Sequence, residues 1–182
     1  MAGLVGCGKK EATEESGGGG DSAKPRDTSY GYPDWLDART QKAVRGKVTV
    51  QILGAEVISR EDMLIGVGLK NADENRKLEY VSWGEVGTSQ MADEKGNSYR
   101  QRRLSFELEH ETKKQFADKF GEKMGFGGGP VYSDRPRGDA LAFERPVDTA
   151  KYISLELSGE NIGEKDPIRF RIPRSAWTGE KD

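Results

Sequence analysis

Between Asp139 and Pro173 three short segments place apolar side chains at every second position, with turn-forming residues between them. In Ile168-Arg169-Phe170-Arg171-Ile172 the bulky apolar groups project to one side and the two arginines to the other, the period of two that marks a half-buried strand. Ile153, Leu155 and Leu157 repeat the pattern with Ser154 and Glu156 outward. Leu141 and Phe143 form a third pair, which Pro146 ends because it has no amide hydrogen for a ladder. These segments predict the closing strands of an antiparallel β-sandwich and an all-β fold.

Upstream, Val48, Val50 and Ile52 alternate with Lys47, Thr49 and Gln51, and Val57 and Ile58 restart the apolar pattern out of phase, so a bulge or bend is expected at Gly54. Met63, Ile65, Val67 and Leu69 form the next strand, whose opposite side includes Gly66 and Gly68 and so lacks bulk. Leu78 to Trp83 reads as another strand, and Met91 to Tyr99 as a hairpin turning at Asp93-Glu94-Lys95-Gly96-Asn97. That acidic turn lacks the alternate carboxylates and the closing bidentate Glu of a calcium loop.

The segment 105–137 is the least sheet-like. Leu108, Thr112, Phe116 and Phe120 lie four apart, which fits a short amphipathic helix over 108–123 packed against one edge of the sandwich. A mobile insertion fits equally well. Gly125-Phe126-Gly127-Gly128-Gly129-Pro130 then predicts a flexible loop, without the strand–turn–helix context of a dinucleotide fingerprint or the Gly-Lys-Ser/Thr ending of a phosphate loop.

The amino terminus reads differently from the rest. The hydrophobic share of the 182 residues is only 34%, and residues 8 to 34 hold almost no large aliphatic side chain. Glycine, serine and mixed charge cannot bury enough surface to offset ordering entropy, so 8–33 is expected to be a disordered linker with a typical span of about 30 Å. Just before it stands Leu4-Val5-Gly6-Cys7, which holds the only cysteine. Pro33-Asp34-Trp35-Leu36-Asp37 marks the start of folding, with a helical turn over 35–42 capped by Asp34. The expected organisation is therefore 1–7 as a signal remnant, 8–33 as linker, 34–176 as the β-sandwich domain and 177–182 as a tail.

The search for chemistry returns little. His110 is the sole histidine, the second ligand position of a zinc helix is occupied by Lys114, and no serine sits in Gly-x-Ser-x-Gly. No catalytic residue, metal site or cofactor is expected. A net charge of −2 gives no field for nucleic acid. Arg100, Arg102, Arg103, Arg135, Arg137, Arg169, Arg171 and Arg174 would make an anion-binding face if they converged. The favoured alternative is cross-strand pairing of Arg169 and Arg171 with carboxylates such as Glu156.

Leu4-Val5-Gly6-Cys7 resembles the lipobox of bacterial lipoproteins, although the charged and apolar stretches that precede a lipobox are missing, so the signal is trimmed or the start misassigned. The resemblance implies lipid attachment at Cys7; a chance cysteine in a floppy terminus is the bland alternative. Gly46-Lys47-Val48-Thr49-Val50, Leu69-Lys70-Asn71, Tyr80-Val81-Ser82-Trp83, Asp93 to Tyr99, Phe143-Glu144-Arg145-Pro146-Val147 and Phe170-Arg171-Ile172-Pro173 together resemble a family of bacterial lipoproteins carrying an immunoglobulin-like (telokin-like) domain of unknown function. That resemblance implies an extracytoplasmic sandwich lipid-anchored in the bacterial envelope, and no catalytic residue. Two functions are then weighed. One is a non-enzymatic binding module for an envelope protein or polymer, touching the membrane through its lipid alone, with Phe116, Phe120, Phe126, Tyr132, Arg135 and Arg137 as partner contacts. The other is a structural or chaperone-like accessory of an envelope assembly.

Overall fold

The computed structural model describes residues 42–179 apart from Glu122. Cys7, the 8–33 linker and the domain start at 34 lie outside the described residues, as does the helical turn expected over 35–42 up to its last residue, Lys42, which opens a strand.

The described residues open with an antiparallel meander of β1 (Lys42–Arg45), β2 (Val48–Val57) and β3 (Asp62–Asn71). The register of β2 on β3 shifts between Ile52 and Gly54, so Leu53 is the extra residue of a β-bulge and the buried side passes from Val48, Val50 and Ile52 to Ala55 and Val57. After β4 (Leu78–Tyr80) the expected strand stops short. Ser82 accepts a hydrogen bond from the Glu85 amide at 3.1 Å and caps one helical turn, α1 (Trp83–Val86). The hairpin follows as β5 (Gln90–Asp93) and β6 (Ser98–Tyr99), then β7 (Gln101–Arg102).

Helix α2 (Phe106–Phe120) is 15 residues long, with Ser105 accepting from the Leu108 amide as its cap. The glycine-rich stretch behind it is part of the sheet system, as β8 (Gly125–Phe126) and β9 (Gly129–Val131), where the sequence predicted a flexible loop. The closing strands are β10 (Arg137–Glu144), β11 (Tyr152–Leu157) and β12 (Ile168–Pro173). Trp177 and Thr178 form a last strand, β13, where a tail was expected. Trp177 is buried and donates its indole hydrogen to the Ile172 carbonyl at 3.4 Å, so an apolar side chain holds this segment down.

Two larger sheets result. One runs β1-β2-β3-β10-β7, with β13 added to β2 and β8 added to β10; the other runs β12-β11-β5-β6; β4 and β9 form a separate pair. The fold is mostly β, with the helix weighed for the 105–137 insertion present as α2; the antiparallel expectation is corrected at β8 on β10 and β13 on β2, which are parallel pairings. Ile52, Ile65, Leu141 and Phe143 from the first sheet share one core with Ile153, Leu155, Phe170 and Ile172 from the second. Each such buried side chain stabilises by about 1.5–3 kcal/mol.

The outer face of the larger sheet carries α2, where an edge location was expected. Gly66 and Gly138 leave room there for the ring of Phe116, which a Cβ at Gly138 would strike and a Cβ at Gly66 would crowd at 3.0 Å. Leu64, Ala140 and Ala142 make a small second core on this face, packed by Ile58, Leu104 and Phe126.

Candidate functional site

Strand β10 is covered along one edge by β3, from Arg137 opposite Leu69 to Glu144 opposite Asp62. Its other edge is shared. Strand β8 takes Arg137 and Gly138, and β7 takes Ala142 and Phe143, which leaves 139–141 without a strand partner on that side. Helix α1 fills part of the gap. What remains is a cleft of about 280 Å³ between α1 (Ser82, Gly84, Glu85), the lead into α2 and its first turn (Arg103, Leu104, Glu109), and the end of β8 (Phe126, Gly127), floored by Asp139 and Ala140.

Asp139 holds this arrangement together. Its carboxylate accepts from the Tyr80 hydroxyl, from the Ser82 hydroxyl at 3.1 Å, from the Gly84 amide at 3.3 Å and from the Ala140 amide at 2.9 Å. The Tyr80 hydroxyl in turn accepts from the Trp83 amide at 3.0 Å. Burial raises the Asp139 pKa against the pull of these donors, and burial followed by the Asp139 charge pushes Tyr80 well above the ordinary phenol range. All of these groups are spent on fixing the start of α1. The indole of Trp83 donates to the Ser158 carbonyl at 2.8 Å, and Gln101 donates to the Trp83 carbonyl at 2.7 Å, so this wall of the cleft is fixed from several directions.

Arg137 organises the opposite end. Its guanidinium donates to the carbonyls of Gly127 (2.8 Å), Pro130 (3.2 Å), Phe126 (3.0 Å) and Gly128 (2.7 Å), so four main-chain acceptors converge on one side chain. A Cβ at Gly125 or Gly129 would lie 3.1 Å from the same guanidinium, and Gly129 has φ of +129°. The glycine-rich sequence is therefore the coat of a half-buried cation.

The residues expected to touch a partner divide accordingly. Arg137 spends four of its N–H donors on main-chain carbonyls inside the molecule. Phe116 and Phe126 stack edge-to-face at 5.3 Å and pack on the sheet, so they build the face and do not project from it. Phe120 closes α2, and its side chain lies outside what the structure describes. Tyr132 and Arg135 are exposed and bridge to each other through their backbones. The arginines form no common anion face. Arg102 pairs with Asp62 at 2.8 Å, Arg169 pairs with its cross-strand neighbour Glu156 at 2.6 Å, and Arg171 and Arg174 lie over the rings of Tyr152 and Trp177. His110 is exposed on α2.

The cleft itself was missed in the sequence, although two signals pointed to it. Ser82-Trp83-Gly84-Glu85 has the Ser-x-x-Glu spacing that starts a helix. Asp139 also stands in phase with Leu141 and Phe143, which puts a carboxylate on the apolar side of a strand and demands donors around it.

Among the described residues no group of three or more His, Cys, Asp or Glu side chains is placed to hold a metal ion, and no helix is long and apolar enough to cross a membrane. No protein-family model matches the chain, and no curated protein matches it. Among solved structures it is similar to the yjhA protein of Bacillus subtilis, at 11% identity over 73% of this chain and 95% of that one, with a TM-score of 0.45. It is also similar to a candidate lipoprotein, ycdA, of Bacillus subtilis subsp. subtilis str. 168, at 13% identity over 75% of this chain, with a TM-score of 0.47. The similarity takes in 39% of the ycdA chain.

Proposed function

We propose that this protein is a non-enzymatic binding module, an immunoglobulin-like sandwich lipid-anchored through Cys7 and working outside the cytoplasm on an envelope protein or polymer. The observation that carries the reading is the placement of the 105–137 segment. It sets α2 on the outer face of the larger sheet and brings Phe126 and Gly127 to the end of an open cleft. That cleft is walled by Glu85, Arg103 and Glu109, all exposed and none in an ion pair among the described residues. Charged side chains held around a cleft without partners of their own are suited to meeting a ligand. The most enzyme-like grouping nearby, Tyr80 with Ser82 and Asp139, supports binding over catalysis, because each of its polar atoms is engaged in capping α1. The anchor rests on the lipobox resemblance and on the Gly- and Ser-rich tether behind it.

The reading is tested by photocrosslinking in cells, with a photoreactive amino acid placed at Lys113 or Arg135 on the 105–137 face and, as control, at Ser154 on the other sheet. A discrete adduct from the first two positions and none from Ser154 is expected. Adducts of equal yield from all three, or from Ser154 alone, would place binding elsewhere and overturn it.

A further inference from the structure

We infer that the cleft beside β10 receives a single lysine or arginine side chain of a protein partner, with Phe106 packing against the apolar residue next to it. The inference rests on the binding-module reading and gives that reading a ligand chemistry.

The walls suggest the charge. Glu85 on α1 and Glu109 on α2 both line the cleft, both are exposed, and neither is paired with Arg103 or any other cation among the described residues. The floor suits the stem of a long basic side chain. Leu104 and the half-buried ring of Phe126 offer apolar surface to methylene groups, while the cationic head reaches the two carboxylates. A volume of about 280 Å³ accommodates a side chain of this kind and not a folded element.

The neighbouring contact is independent of charge. Phe106 stands three residues before Glu109, on the same side of α2, and is 80% exposed. A phenylalanine left this open, one helical turn from the cleft-lining Glu109, fits the aromatic anchor of a protein interface. Arg103 supplies discrimination, because its uncompensated charge disfavours a second cation beside the first and so selects an isolated basic residue over a polybasic tract.

The test uses the full chain and three small probes: N-acetyl-leucyl-arginine amide, its neutral citrulline counterpart and its glutamate counterpart. Amide resonances of Glu85, Leu104 and Gly127 are expected to shift with the arginine probe, with binding about fivefold weaker for citrulline and none for glutamate. The Glu85→Gln/Glu109→Gln pair should weaken the arginine probe by about fivefold and leave the melting temperature unchanged, since both side chains are exposed and unpaired. Phe106→Ser should weaken it with the same preference for arginine. Equal response to arginine and glutamate probes, insensitivity to the double substitution, or no shift at these three amides would overturn the inference. None of those results alters the crosslinking pattern that tests the binding-module reading.

Discussion

The ring of Phe116 occupies the space that a side chain at residue 138 would need. Had Gly138 a Cβ, it would collide with Cδ1 and Cε1 of that ring, and a Cβ at Gly66 would stand 3.0 Å from its tip. Helix α2 is thus seated on the sheet by one aromatic ring in a glycine-walled socket. Between Phe106 and Gln115 its polar bonds among the described residues are internal, Leu108 to Ser105 and Thr112 to Leu108. Replacing Gly138 by Val should therefore unseat α2 and spare the core. Hydrogen exchange should show loss of protection at residues 109–119 with β11 and β12 unchanged, at a cost of about 1–3 kcal/mol in global stability.

Much of the sheet was legible in the sequence. The alternation at 153–157 and 168–172 marks two strands that the structure pairs, Arg169 lies opposite Glu156 as expected, and the phase change near Gly54 marks the bulge. The helix start at Ser82 was obscured because Tyr80-Val81-Ser82-Trp83 is rich in strand-favouring side chains. A tertiary bond from Asp139, 57 residues away, holds the cap that ends the strand. The glycine-rich segment was misread for a related reason. Composition alone signals flexibility, and what orders it is one arginine that lies outside it in sequence.

Arg137→Lys should not rescue the loss that Arg137→Met produces. An ammonium has three donors and no fork, so it cannot serve the four carbonyls that the guanidinium reaches. Both substitutions should destabilise by about 2–4 kcal/mol in urea unfolding, with amides 126–130 losing exchange protection first.

Asp139→Ala should be costly because it strands the Tyr80 hydroxyl, the Ser82 hydroxyl and the Gly84 amide in a buried setting. A loss of about 3 kcal/mol is expected by chemical denaturation. Tyr80→Phe combined with Asp139→Ala should recover part of it, since one orphaned donor is then absent. The double substitution reading worse than the sum of the two singles would contradict this pairing.

Stability should fall on the acid side for a specific reason. Burial works to raise the Asp93 carboxyl, but hydrogen bonds from the Asn97 side chain (2.7 Å), Tyr99 (2.8 Å) and the amides of Asn97 and Lys95 outweigh it and lower its pKa to about 2. A carboxyl depressed in the folded state adds stability above its unfolded value near 3.9, and the gain disappears as pH falls through about 2. Asp93→Asn should flatten the pH dependence of the melting temperature between about 4 and 2 relative to the unsubstituted protein. An unchanged slope would remove Asp93 as its source.

The central claim is a β body working at the end of a lipid tether, and intact-protein mass spectrometry combined with cell fractionation tests it most directly. When the chain is produced in a bacterium behind a lipoprotein signal, the account predicts a diacylglyceryl mass increment mapped to Cys7 and protein in the membrane fraction, with Cys7→Ser moving it to the soluble fraction. A free thiol at Cys7 in protein that is soluble from the outset would contradict it.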